Sequence, residues 1–157
     1  MRILALTTAV LLFVSLAPVE LASADGGTHV DYVGGTVQAI DVKASGRIRT
    51  TDAEFFQLAL PGKQELRVPY GKINLLEYGQ KVDRRYMAAA LLSPMFLLAK
   101  SRQHFLTVGY TDAEGHQQAM VFRVAKGDVR TVLVSLEART GVKIQYQDLE
   151  ARKAGKG

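Results

Sequence analysis

Three histidines, His29, His104 and His116, are the side chains best suited to ligate a metal or to move protons near neutral pH. None lies in a His-Glu-x-x-His spacing or beside a carboxylate cluster, so each reads as a strand or turn residue rather than a ligand. Two carboxylate pairs, Asp52 with Glu54 and Asp112 with Glu114, sit inside the same tetrapeptide, TDAE, which occurs at Thr51 and again at Thr111. Each copy falls between strand-like runs. An Asp there can bond the backbone two residues on, and solvated turn residues account for both pairs. One recurrence does not make a repeat architecture. Gly-x-Ser-x-Gly, Ser-x-x-Lys and Gly-x-x-x-x-Gly-Lys-Ser/Thr are missing, which removes the commonest hydrolase and nucleotide-binding signatures. An enzyme would have to assemble its site from scattered polar residues, with Tyr70, Tyr78, Asp83 and His104 as candidates. A deep cleft where two or more of them converge is the observation that would favour it. No cofactor and no metal is expected.

A different kind of chemistry is suggested by RRYMAAALLSPMFLLAKSR, Arg84 to Arg102, where a mostly apolar run lies between two basic pairs. The stretch from Tyr86 to Lys100 has no Val, Ile or Thr and is dense in Ala, Leu and Met, which favours helix over strand. Pro94 should break that helix after Ser93. About fourteen helical residues cover roughly 21 Å, too little for a hydrocarbon core of about 30 Å. Three readings stay open: a buried insertion between strands, an apolar hairpin dipping into one leaflet, or a docking surface for a partner helix. In the membrane reading Arg84, Arg85, Lys100 and Arg102 sit among anionic headgroups, while Leu91, Leu92, Met95, Phe96 and Leu97 enter the acyl region.

Compartment follows from the N-terminus. Arg2, the apolar block Ile3 to Leu16 and the small-x-small pattern Ala22-Ser23-Ala24 make a secretory signal peptide, residues 1–24, and predict a mature start near Asp25. An uncleaved anchor is the alternative, but the block is shorter than the ~20 residues a span needs. The chain has no cysteine, which excludes disulfides, thiolate metal sites and anchoring through a lipidated cysteine. A small exported protein without disulfides fits a prokaryotic envelope better than eukaryotic secretion. Cleavage removes Arg2 and Glu20, one charge of each sign, so the formal charge of +5 persists. Such a chain is drawn to anionic surfaces, although the same charge also serves as a solubility margin. Its cations are scattered among acids, so nucleic acid is not an expected partner, and neither is a nucleotide.

Roughly 130 mature residues suit one domain with one core. HVDYVGGTVQAIDV, from His29, alternates in part, with Gly34-Gly35 read as a bulge. Ser45-Gly46 reads as a turn into GRIRTTDAEFFQLAL, two strands about Thr51 to Glu54, and Pro61-Gly62-Lys63 as a further turn. ELRVPYGKINLLEYGQKV has strand character broken by Pro69 and Gly71. HFLTVGYTDAEGHQQAMVFRV predicts an antiparallel hairpin about Glu114-Gly115. GDVRTVLVSLEARTG is helical, with Val129, Val132, Leu133 and Leu136 as the buried stripe, Asp128 as N-cap and Gly141 as C-cap. Val142, Ile144 and Tyr146 alternate as a last strand. The tail 150–157, EARKAGKG, is polar and basic and is expected to be disordered.

The succession GGTVQAIDVKASGRIRTTDAEFFQLAL…ELRVPYGKINLLEYGQKV resembles the opening strands of pleckstrin-homology-like and GRAM-like domains, in which Gly-x-Leu/Ile-x-x-Thr precedes a polar turn, an aromatic strand and x-Ile/Val-Pro-x-x-x-Ile. LEYGQKVDRR, HFLTVGYTD and LEARTGVKIQYQD together resemble a set of uncharacterised exported bacterial proteins. The first resemblance implies a mainly β domain over 25–149, two packed antiparallel sheets closed at one corner by a C-terminal helix, and a binding function for lipid headgroups, peptides or proteins. The fold does not choose among these. The basic strand-loop motif of phosphoinositide-binding members is not recognisable here. The sequence thus points to an exported, non-enzymatic binding or adaptor module whose partner is an anionic lipid or an envelope protein. The alternatives are the scattered-site enzyme and a purely structural envelope protein.

Overall fold

In the computed structural model, residues 26–81 and 103–156 are described. Residues 1–24, expected to be a signal peptide, Asp83 and the whole Arg84–Arg102 stretch, with its four cations and its apolar residues Leu91, Leu92, Met95, Phe96 and Leu97, lie outside them.

Eight strands form one sheet: β1 Thr28–Gly35, β2 Ser45–Arg49, β3 Phe55–Ala59, β4 Glu65–Pro69, β5 Ile73–Gly79, β6 His104–Thr111, β7 Gln117–Val124 and β8 Ile144–Tyr146. Their order is β4-β3-β2-β1-β7-β6-β5-β8, so β4 and β8 are edges and the sheet does not close into a barrel. A single continuous sheet stands where two packed antiparallel sheets were expected, because β1 pairs with β7 and joins the two halves. Two antiparallel meanders, β1 to β4 and β5 to β7, are joined where β1 pairs with β7. Asp31 and Arg123 pin that seam, the carboxylate accepting from the guanidinium Nε at 3.0 Å and from the Ser45 hydroxyl at 2.6 Å. Burial alone would raise this carboxyl, but the bonds from Ser45 and Arg123 outweigh it and hold it below the usual range.

Alternation places Val30, Tyr32, Ile48, Phe56, Leu58, Leu76, Tyr78, Leu106, Val108, Met120 and Phe122 in one core. Helix α1, Val129–Thr140, closes it with Val129, Val132, Leu133 and Leu136, the four residues of the predicted stripe. Gly141 ends the helix at φ 71°, a left-handed conformation that an L side chain resists, and its N–H reaches the Glu137 carbonyl. Asp128 makes no side-chain cap, contrary to expectation, because its own backbone is already helical.

Three further expectations need correction. Ser45 and Gly46 are strand residues of β2. The turn precedes them at Asp41–Ala44, where Lys43 takes φ 79° and the Ala44 N–H returns to the Asp41 carbonyl. The bulge expected at Gly34-Gly35 is present between Tyr32 and Gly34, but the strand ends at Gly35 and does not run on to Val42. The tail is not disordered through 150–156: Leu149–Lys156 is a second helix, α2, with Ala151 and Gly155 buried. The Asp148 carboxylate accepts from the Ala151 N–H at 2.6 Å and caps its start.

The predicted turn chemistry is present at Asp52, whose Oδ1 accepts from the N–H groups of Glu54 and Phe55 at 2.8 and 2.9 Å. Pro69 ends β4, and a 3-10 turn at Tyr70–Lys72 leads into β5. The strand predicted at Val142–Tyr146 is β8, which pairs parallel with β5.

Candidate functional site

Strand register gathers the site. Gly79, the last residue of β5, faces Phe105, and His104, the first of β6, faces Val124, the last of β7. One end of the sheet therefore carries Gln80 and Lys81 after β5, His104, and Lys126 two residues beyond β7. Helix α2 reaches the same end and turns Glu150, Lys153 and Ala154, at i, i+3 and i+4, toward it. Gln80, His104, Lys126, Glu150, Lys153 and Ala154 line a cleft of about 590 Å³.

Tyr78 and His104 meet behind that cleft. The Tyr78 hydroxyl lies 2.5 Å from His104 Nδ1, with the rings parallel and their centroids 6.0 Å apart. Burial, with Tyr146 alongside, pushes the Tyr78 hydroxyl up to about 12, so it keeps its proton. Burial first, and Lys126 second, hold the His104 imidazole below its ordinary value, so the ring is neutral at pH 7. A buried tyrosine needs an acceptor for its proton, and among the described residues Nδ1 is the one within reach. The hydroxyl thus donates to Nδ1, and Nε2 keeps the imidazole proton. His104 is a hydrogen-bond donor at the lining of the cleft.

Helix α2 is held close by a small residue. A Cβ on Gly155 would stand 2.7 Å from a Tyr146 ring carbon and 3.3 Å from one of Tyr78. Gln147 ties the approach to β5, its N–H donating to the Tyr78 carbonyl at 3.1 Å and its side-chain amide to the buried Glu77 carboxylate at 3.0 Å.

Of the enzyme candidates, Tyr78 and His104 converge, Tyr70 does not, and Asp83 lies outside the described residues. Tyr70 sits on the turn before β5, at the far end of that strand from Tyr78. Its hydroxyl is buried without a hydrogen-bond partner among the described residues. Lys126 and Lys153 were not singled out from the sequence, where nothing local marks them. His29 is an exposed residue of β1, and His116 stands in the β6–β7 turn, its N–H donating to Asp112 at 2.7 Å. Among the described residues no three His, Asp or Glu side chains gather as a metal-ligand set.

The sheet face opposite α1 and α2 carries a second set of buried side chains, Val33, Phe105, Thr107 and Val121, outside the main core. Both helices pack on the other side, α1 through its stripe and α2 through Ala151. Among the described residues no helix is long and apolar enough to cross a membrane. No protein-family model matches the chain, and no curated protein matches it.

Proposed function

We propose that the chain is an exported, non-enzymatic binding or adaptor module of pleckstrin-like architecture that docks on an anionic envelope surface. The observation that carries this reading is the gathering of Lys126 and Lys153 at one sheet end, where Gln80 and the adjacent Lys81 close the described chain before residues 82–102. The sequence supplies four further cations, Arg84, Arg85, Lys100 and Arg102, in the stretch that follows. Cations beside an anionic bilayer contribute about 1 kcal/mol each, so a group of this size can hold a small domain at a surface. Two antiparallel meanders followed by a core-closing helix support the pleckstrin-like assignment. Residues 25–157, sedimented with vesicles of phosphatidylglycerol and of phosphatidylcholine, should bind the first and not the second, and added salt should release them. Equal sedimentation with both lipids, or with neither, would sink the reading.

The convergence of Tyr78 and His104 favours the enzyme as second reading. Among the described residues no Ser, Thr or Tyr hydroxyl lines the cleft, so a covalent step there would have to use Glu150, a lysine or His104 itself. Hydrolysis of an ester or phosphoester panel, lost in His104→Gln, would move the balance toward it.

A further inference from the structure

The cleft between the sheet end and α2 has the chemistry of an oxyanion site. It offers two ammonium groups on exposed flexible stems, Lys126 and Lys153, the Gln80 amide, and the imidazole of His104. The Tyr78 hydroxyl holds the His104 ring from behind at Nδ1, which leaves Nε2 to act as the N–H donor. Neither lysine forms an ion pair among the described residues. Glu150 subtracts one charge, so the described lining residues carry net +1. Several donors together with a surplus of positive charge suit a tetrahedral group with several acceptor oxygens.

We infer that this cleft binds a phosphate group, with Lys126 and Lys153 as charge partners and His104 as the positioned neutral donor. The inference rests on the proposed anionic-surface reading only for its source: the same chemistry would take the phosphate of a lipid headgroup or a free phosphate. Tyr78 is a positioning residue here, since it acts through His104.

Inorganic phosphate is the direct probe. Titrated at constant ionic strength into ¹⁵N-labelled residues 25–157, it should shift the His104 imidazole and the amides of Lys126 and Lys153 saturably. Both lysines are exposed, so Lys126→Ala and Lys153→Ala should fold and weaken binding about tenfold each, the size of a lost charge-assisted contact. Glu150→Gln should tighten it by removing the opposing carboxylate. Shifts no larger than those given by chloride, or affinities that all three variants leave unchanged, would overturn the site. Vesicle sedimentation of the same variants separates the sources. Weakened binding to phosphatidylglycerol assigns the headgroup. Phosphate binding that depends on the two lysines, with vesicle binding unaltered, keeps the site and assigns free phosphate. Phosphate binding without any vesicle binding removes the surface reading and leaves the cleft standing.

Discussion

The Tyr78 hydroxyl and His104 Nδ1 stand 2.5 Å apart across the β5–β6 pair, each the other's hydrogen-bond partner in a buried setting. The pair is 26 residues apart in the chain. Tyr78→Phe removes the donor, keeps the ring volume and leaves Nδ1 buried without it. The expected cost is about 1–3 kcal/mol in denaturant unfolding, the price of an unsatisfied buried polar atom. Imidazole ¹⁵N shifts should at the same time report a change from the Nε2–H tautomer toward a mixture. An unchanged tautomer would mean that the hydroxyl does not set it.

The same histidine makes stability depend on pH. The fold depresses the His104 pKa below 6.5, so on acidification the unfolded chain takes up this proton first. The contribution of the neutral ring is complete above about 6.5 and falls as pH drops through that value toward the lower folded one. Melting temperatures between pH 7.5 and 5 should decline more steeply for the parent than for His104→Gln. Lys126, Lys153 and Glu150 share the cleft and remain in both proteins, so the difference between the two profiles isolates the imidazole. Parallel profiles would refute the assignment.

Helix α1 closes the core through Leu136, which is fully buried. Leu136→Ala should cost about 2–5 kcal/mol, a large-to-small change that leaves a cavity between helix and sheet. A shift of only a few tenths in the unfolding midpoint energy would place that stripe in water, and the closing-helix architecture would fall with it.

Gly155→Ala sets two effects against each other. Alanine favours an exposed helix over glycine by about 1 kcal/mol. Here the added methyl would stand 2.7 Å from the Tyr146 ring, itself packed edge-on against Tyr78 at 6.2 Å. Overpacking costs typically about 1–3 kcal/mol, so destabilisation should win, with α2 displaced and phosphate affinity lowered. A stabilised variant would show that α2 does not approach the tyrosines this closely.

The elements that speak through period were legible in the sequence. β6 and β7 alternate around a Glu114-Gly115 turn, and α1 repeats Val129, Val132, Leu133 and Leu136, so each could be placed from apolar spacing alone. Helix α2 could not, because it buries only Ala151 and Gly155, whose small side chains carry little apolar signal within a charged tail. Ser45-Gly46 looked like a turn by residue type, yet the φ-positive position went to Lys43. Tyr78 and His104 were recognisable as polar residues worth watching. Their meeting with Lys126 and Lys153 depends on the register of three strands and the docking of a helix, and no local spacing encodes it.

The apolar run between Arg84 and Arg102 admits two outcomes that one pair of substitutions separates. If it is a lipid-facing wedge with a cationic collar, burying Met95 and Phe96 in the bilayer contributes about 3–6 kcal/mol by area, and the collar adds a salt-sensitive part. Met95→Asp with Phe96→Asp should then abolish binding to anionic vesicles while the far-UV spectrum and melting temperature stay with the parent. The opposite outcome has a physical home in the fold. Val33, Phe105, Thr107 and Val121 are buried on the face that neither helix covers, and Phe105 lies two residues downstream of Gln103, where the described chain resumes. A double variant that loses its cooperative melt would assign the run to that face as cover, and Phe105→Ala would be expected to reproduce part of the loss, about 3–5 kcal/mol for a large aromatic truncated in a core. Melting and vesicle sedimentation on the same two samples therefore separate wedge from cover, since the wedge loses binding with its fold intact and the cover loses its fold.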